Sequence, residues 1–416
     1  MKFSKFATIV LLLLSLCAIA CSDEIDVPER EDIPLIADGE EARRMLLLYI
    51  VADNDLVHFA QQDLREVWQV ANKIPNDCYL LAFVDDDKNA RLLRYFNNDG
   101  DCDYKTVHNF GREFASCDTT DMRVVFDWVE QNYPAKQMDM VLWSHATGWL
   151  RDDKKRSAQL YSFGYDISQG DNSDCSRMYI EELADFLKKT AVKPDRLMFD
   201  ACFMQCAEVA YAMRNSANWI IASPAEIPGS GAPYDALVPL FFDETASLQN
   251  IMDAYKVAYD GTKTGVVLSA VRCSAMQQLA DATAVAVKNA LYNVSGSDCG
   301  DVFSYLPGAS FTASNSFPNF FDMNSVMQKY LTVNEYAIWK AALNAAVPCR
   351  SVSAKWYSSV LDRDSDASDI EDFVMVDASC SGISMYLPNT DSRFNEFNNS
   401  FAMLEWYSAA AWNEVE

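Results

Sequence analysis

The sequence predicts an α/β protein with a mostly parallel central sheet covered by helices on both faces. Three observations carry that prediction. Apolar runs without polar alternation, RMLLLYIVA (44–52), CYLLAFVDD (78–86), DMVLWSH (139–145), DRLMFDAC (195–202) and NWIIAS (218–223), read as strands buried on both sides. Helical stretches separate most of them, as crossovers between parallel strands of about a dozen residues require. Half of the 416 residues are hydrophobic and 23% are charged, which suits a large core and not a disordered chain.

The elements follow in order. Residues 1–20 combine Lys2 and Lys5, an apolar stretch and small residues before Cys21, the layout of a signal peptide too short to be a permanent membrane span. Residues 21–42 are acidic and contain Pro28 and Pro34, as a tether does. Residues 43–245 hold the strands named above. A helix over 55–72, with Leu56, Phe59 and Leu64 among its apolar positions, follows the first strand. LLRYF (92–96) and KTVHNF (105–110) suggest smaller strands or a hairpin. Asp118 or Thr119 caps a helix to about Asn132, with Met122, Val125, Phe126 and Val129 inward. LYSFGYD (160–166) is a short strand, 177–190 a helix, and another helix begins at about Phe203 and runs to Met213. Residues 246–416 form a mainly helical region around the strand TGVVLSA (264–270), with SGISMYLP (381–388) as a late strand completing the fold and a last helix over 396–413.

Composition excludes several functions. The chain carries 60 acidic against 34 basic residues, a formal −26, and loss of the signal would remove two lysines more. Phosphate backbones repel such a surface, so nucleic acid is not the expected partner. There is no GxGxxG turn and no Walker lysine in the first half, so nucleotide binding has no support. The three histidines, His58, His108 and His145, share no ligand-like spacing, and the twelve cysteines form no CxxC pair. In an exported chain Cys78, Cys102, Cys117, Cys175, Cys299, Cys349 and Cys380 are candidates for disulfides that the sequence cannot pair.

Two strand ends carry the chemistry. Open α/β sheets gather ligand chemistry at the carboxyl ends of their strands. His145 ends one run, in VLWSHATGW, and Cys202 follows another, in LMFDACFM. A thiol becomes nucleophilic as thiolate, which an imidazole and a helix starting directly after Cys202 would both favour. His145 would protonate the leaving amine, and backbone N–H groups from Ala146 to Gly148 would stabilise an oxyanion. Cys206, a turn after Cys202 on the expected helix, reads as core. His58 and His108 read as surface residues.

At these residues the chain resembles the clostripain-like cysteine peptidases of the caspase-like clan. The matching stretches are YIVADNDL (49–56), FDWVEQNYPAKQMDMVLWSHATGW (126–149), FDACFMQCAEVAYAM (199–213), ASPAEIPGSGAPYDAL (222–237) and SGISMYLP (381–388), in order across about 44–412. The resemblance implies a caspase-like αβα sandwich, a His145–Cys202 dyad and cleavage after Arg or Lys, with Asp200 at the base of the specificity pocket. It departs at two places. Ala146 stands where the family usually has glycine, and Ser230 stands where it often has a second acid, a role left to Glu226 or Asp235. The basic run at Arg151, Lys154, Lys155 and Arg156 matches the region where some relatives cut themselves. Parts of the family use calcium, for which the acidic stretches 85–87 and 362–372 would be weak sites; no other cofactor is implied. Residues up to Cys21 resemble a lipobox with Ala18 in place of the usual Leu, and SDEID resembles the acidic tag of surface lipoproteins of Bacteroidota-like bacteria. That implies lipid on Cys21, an outer-membrane anchor and a peptide or protein substrate outside the cell.

Overall fold

Strand β1 (Arg44–Val51) shows why the centre of the sheet is parallel. Its even side chains, Leu46, Leu48 and Ile50, enter one apolar cluster, and Met45, Leu47, Tyr49 and Val51 enter another. A strand buried on both faces must be covered twice, and crossover helices do this. The computed structural model describes residues 40–151, 162–167, 176–262, 264–306, 320–354 and 380–414, all within the unit Ile36–Glu416.

The central sheet has nine strands in the order β12-β10-β9-β8-β5-β1-β2-β3-β4. The middle five, β9 (Trp219–Ala222), β8 (Arg196–Asp200), β5 (Met138–Trp143), β1 and β2 (Cys78–Asp85), are mutually parallel. The hairpin β3 (Ala90–Asn98) and β4 (Asp101–Gly111) closes one side antiparallel. β10 (Val267–Arg272) and β12 (Cys349–Val352) extend the other side, also antiparallel.

One face is covered by α1 (Val57–Gln69), α5 (Tyr234–Phe242) and α6 (Leu248–Tyr259). The opposite face is covered by α2 (Thr119–Asn132), α3 (Ile180–Leu187), α4 (Ala207–Ala212) and α7 (Met276–Ala286). Asp118 caps α2 by accepting from the Thr120 N–H, and Met122, Val125, Phe126 and Val129 are its buried stripe. The chain adds β2 on one side of β1 and then β5 on the other, so the strand order reverses there. Ligand crevices in open sheets form at the carboxyl side of such a reversal.

Several elements differ from the sequence reading. α4 starts at Ala207, not at Phe203, because Cys202 and Phe203 form a turn, Met204 and Gln205 are irregular, and Cys206 is the N-cap in extended backbone. Phe203 adopts φ +60°, which no α-helix accommodates. The late strand is only Ser384–Met385 (β13), and it pairs with Phe321–Asp322 (β11) outside the central sheet. The C-terminal region adds β10 and, at the edge of the main sheet, β12, which is too short to stand out by pattern. The last helix is two, Asn395–Ala402 and Glu405–Ala409. Cys78, Cys102, Cys299, Cys349 and Cys380 are free thiols here, not disulfides, and Cys175 lies outside the described residues.

Candidate active site

The register of two neighbouring strands builds the site. β5 and β8 are adjacent and parallel, and Trp143 stands opposite Asp200. His145 and Cys202 are each two residues further on, so they leave the sheet at the same level. The loops that carry them touch. Gly148 has φ +69°, and a Cβ there would lie 2.8 Å from the Phe203 carbonyl oxygen and 3.6 Å from Cys206 Sγ. Both a left-handed backbone and a close approach therefore require glycine at 148.

Ala146 poses no such demand. Asp99, Phe203 and Ala411 are the non-glycine residues with positive φ among those described, so Ala146 has the ordinary negative φ. The departure from glycine costs the loop nothing. Ala146 bridges to Phe163 of β6 (Phe163–Asp166), with the Gly164 N–H donating to His145 O and the Thr147 N–H to Ser162 O. The Thr147 N–H is thus used, whereas those of Ala146 and Gly148 have no acceptor among the described residues.

His145 is oriented by a residue the sequence reading did not single out. Its Nε2 lies 2.8 Å from Asp55 Oδ1, across the crevice between β5 and β1. A carboxylate only accepts, so Nε2 is the donor of this pair, and in the neutral tautomer this bond selects, Nδ1 is the nitrogen with the lone pair. The hydrogen bond from His145 holds the Asp55 carboxyl below the ordinary range, more than its partial burial raises it. Asn54 sets this turn: its side chain donates to Val51 O and Tyr165 O and accepts from the Leu56 N–H.

Cys202 is partly exposed, and its sulfur accepts from the Ile227 N–H at 3.3 Å. Burial, then the charge of Glu226, pushes the thiol up to about 12, and Asp200 adds to this. The resting group is therefore a thiol. Cys206 is fully buried in the core, as its neighbours suggest.

Asp200 is buried beneath the site. Its Oδ2 accepts from the Ala232 N–H at 3.0 Å and the Tyr234 hydroxyl at 2.9 Å, and its Oδ1 from the Tyr255 hydroxyl at 2.8 Å. Ser230 bonds the Tyr259 hydroxyl at 2.9 Å. Glu226 is half-buried, and Asp235 is exposed in the first turn of α5. Arg151 is already engaged, 3.6 Å from Glu181 and stacked over the Tyr179 ring, whereas Lys154, Lys155 and Arg156 lie outside the described residues, as do Cys21 and 362–372. In 85–87, Asp86 is tied to Arg91. Among the described residues no group of three His, Cys, Asp or Glu side chains is placed to hold a metal. His108 stacks on Trp128, and His58 packs on Phe59.

An imidazole and a thiol at level carboxyl ends of adjacent parallel strands, in the chain order His then Cys, are the layout of the caspase-like cysteine peptidases. The chain belongs to one such group, the clostripain family, whose model matches residues 48–416. Clostripain from Hathewaya histolytica is 26% identical over 218 residues, 46% of this chain and 41% of that protein, so the match spans less than half of that relative. A secreted C11 cysteine protease from Bacteroides thetaiotaomicron, solved with an irreversible peptide inhibitor, is 27% identical with a TM-score of 0.75, covering 90% of this chain and all of that one. An inactive zymogen of a C11 protease from Parabacteroides distasonis shares the fold at a TM-score of 0.72 and 23% identity, covering 89% and 99%.

Proposed function

We propose that the protein is a cysteine endopeptidase that cleaves after Arg or Lys through His145 and Cys202. The observation that carries this reading is the level register of the two strand ends, with Gly148 packed on the turn after Cys202. Because the resting thiol is neutral, attack is coupled to proton transfer. The sulfur gives its proton to the free Nδ1 of His145 as it bonds to the scissile carbonyl carbon. Asp55 keeps the other ring nitrogen protonated and stabilises the imidazolium. The N–H groups of Ala146 and Gly148 receive the oxyanion. Collapse breaks the C–N bond, and the amine leaves with the proton from His145. Water then adds to the thioester carbonyl, losing a proton to the same nitrogen, and the thiol departs with that proton restored.

The competing reading is a degenerate, non-catalytic surface lipoprotein of the family that binds peptides or a protein partner, suggested by the departures at Ala146 and Ser230. The negative φ of Ala146 removes the first ground. The export signal and Cys21 support placement as a lipid-anchored protein on the outer membrane. The basic residues at 154–156 support self-cleavage behind His145, and Arg151, already paired, is the less suitable of the four. A panel of fluorogenic peptides with Arg, Lys or neutral P1 residues, assayed beside Cys202→Ala, tests the whole. Turnover of basic substrates by wild type alone is expected; turnover by neither protein after reduction and processing overturns the proposal. Intact bands from both proteins would remove self-cleavage only.

A further inference from the structure

Glu208 puts a carboxyl where α4 is otherwise apolar. It stands in the first turn of that helix and is 1% exposed. Among the described residues no basic side chain pairs with it, and its Oε2 accepts no hydrogen bond. A carboxyl buried in this way is costly unless some group uses it. Its Oε1 accepts from the Tyr386 N–H at 2.8 Å.

The course of the chain explains that bond. The Ser384 N–H donates to Gln205 O at 3.0 Å, and Ser384 pairs in parallel with Cys206, so β13 starts a short ladder along the turn after Cys202. A continued parallel ladder would next give the Tyr386 N–H a backbone carbonyl. None is available, because α4 begins at Ala207 and its carbonyls serve the helix. The Glu208 side chain supplies the missing acceptor.

Tyr386 in turn backs the loop of His145. Its ring packs on Trp149 at 4.9 Å between centroids, and its hydroxyl donates to Asn398 Oδ1 at 2.7 Å, so the ring is fixed from behind. Trp149 is 1% exposed, and its backbone hydrogen-bonds the Cys206 sulfur. It directly follows Gly148, which packs on the Phe203 carbonyl and carries one of the N–H groups assigned to the oxyanion.

We propose that Glu208 is a positioning residue of the active site: it holds Tyr386 against Trp149 and so keeps the loop after His145 in place over the turn after Cys202. This rests on the reading of the protein as a peptidase that uses His145 and Cys202. Glu208 touches neither substrate nor reacting atoms, and the reach of its side chain does the holding, not its charge. Burial pushes the carboxyl up to about 7, so near neutrality much of it already carries a proton.

Three variants of the full chain separate reach from charge. Glu208→Gln keeps the reach and an acceptor without the charge. Glu208→Asp keeps the charge and is one methylene shorter. Glu208→Met keeps the length without the acceptor. Each is assayed near pH 7 on the peptide that wild type cleaves best. Rates are divided by the concentration of sites that an irreversible peptidyl inhibitor titrates, so unfolded molecules drop out. Glu208→Gln should stay within about threefold of wild type in kcat, less than the worth of a typical hydrogen bond. Glu208→Asp and Glu208→Met should lose at least about tenfold in kcat with KM little changed, because a displaced loop weakens contacts made in the transition state. A role in folding alone would reduce the number of titrated sites and leave the kcat of each. Glu208→Asp carries the test where Glu208→Met does not fold. An Asp or Met variant within about threefold of wild type per site overturns the proposal. So does a Gln variant as slow as the Asp variant, which would make charge the essential feature. Those outcomes leave the peptidase reading intact, whereas no turnover by wild type removes both.

Discussion

Replacing Gly148 by alanine tests whether the two loops are locked in the way described. The left-handed backbone alone costs an alanine about 1–2 kcal/mol. The new methyl would also stand 2.8 Å from the Phe203 carbonyl, closer than real Cβ contacts come, and that oxygen is backbone and cannot rotate away. One of the two loops must shift, so the loss of stability should exceed the backbone term, reaching about 2–4 kcal/mol by comparison with strained or overpacked sites. The reverse change at the neighbouring site is the control. Ala146→Gly adds only unfolded-chain freedom and should cost about 0.5–1 kcal/mol. Urea unfolding followed by tryptophan fluorescence gives both values, and kcat/KM on an Arg peptide should fall at least tenfold for Gly148→Ala, because a displaced loop moves an oxyanion donor. A Gly148→Ala protein within about 0.5 kcal/mol of wild type, the range of an ordinary surface change, would refute the packing of these loops.

Three further outcomes follow from the same geometry. Asp55→Asn weakens the anchor on His145 Nε2, and kcat/KM should drop about three- to tenfold, the worth of one hydrogen bond, with KM little changed. Asp63→Asn should be more stable than wild type at higher pH. Folded wild type keeps the Asp63 proton up to about 9, whereas the unfolded chain releases it near the ordinary carboxylate value of about 4. Wild type therefore loses stability as pH rises between those values, and the variant's advantage should grow from pH 5 to pH 8; the same difference at both pH values would contradict a buried Asp63 that holds its proton when folded. Asp139 is fully buried and bonded to both Arg196 and Arg44. Removing it as Asp139→Ala strands two guanidinium groups and should cost about 3–5 kcal/mol in chemical denaturation.

Much of the site was legible in the sequence, for physical reasons that also mark where legibility ended. The five parallel strands stood out because each is buried on both faces and so is continuously apolar. That pattern also places His145 and Cys202 just past the ends of neighbouring strands, which is why the pair could be singled out from the sequence. The helix over 203–213 failed because its signal was apolar content, which Phe203 and Met204 share with real helix. Only the left-handed turn at Phe203, fixed by Gly148 and by the bond from its N–H to Ala225 O, delays α4 to Ala207. Asp55 was unreadable because its partner lies 90 residues away across the strand reversal. Asp63 did leave a trace: it sits three residues after Ala60 and four before Val67, on the stripe that must face the sheet. The pattern 60, 63, 67 marks a carboxyl in a core position, whereas the larger apolar residues of the helix, Leu56, Phe59 and Leu64, are only partly buried. Asp200 was singled out by its place two residues before Cys202, but the sequence could not show that three of its acceptor positions are filled.

Covalent labelling distinguishes a His145-assisted Cys202 nucleophile from an inert thiol. The protein would be treated with an irreversible peptidyl inhibitor carrying Arg at P1, and the adduct located by mass spectrometry. Among the described cysteines, Cys102, Cys202 and Cys349 are the partly exposed ones. One adduct is expected, on Cys202, lost in Cys202→Ala and slowed at least a hundredfold in His145→Ala, the scale of general acid–base assistance. Labelling of Cys102 or Cys349 in place of Cys202, or labelling of Cys202 at the same rate without His145, would contradict it.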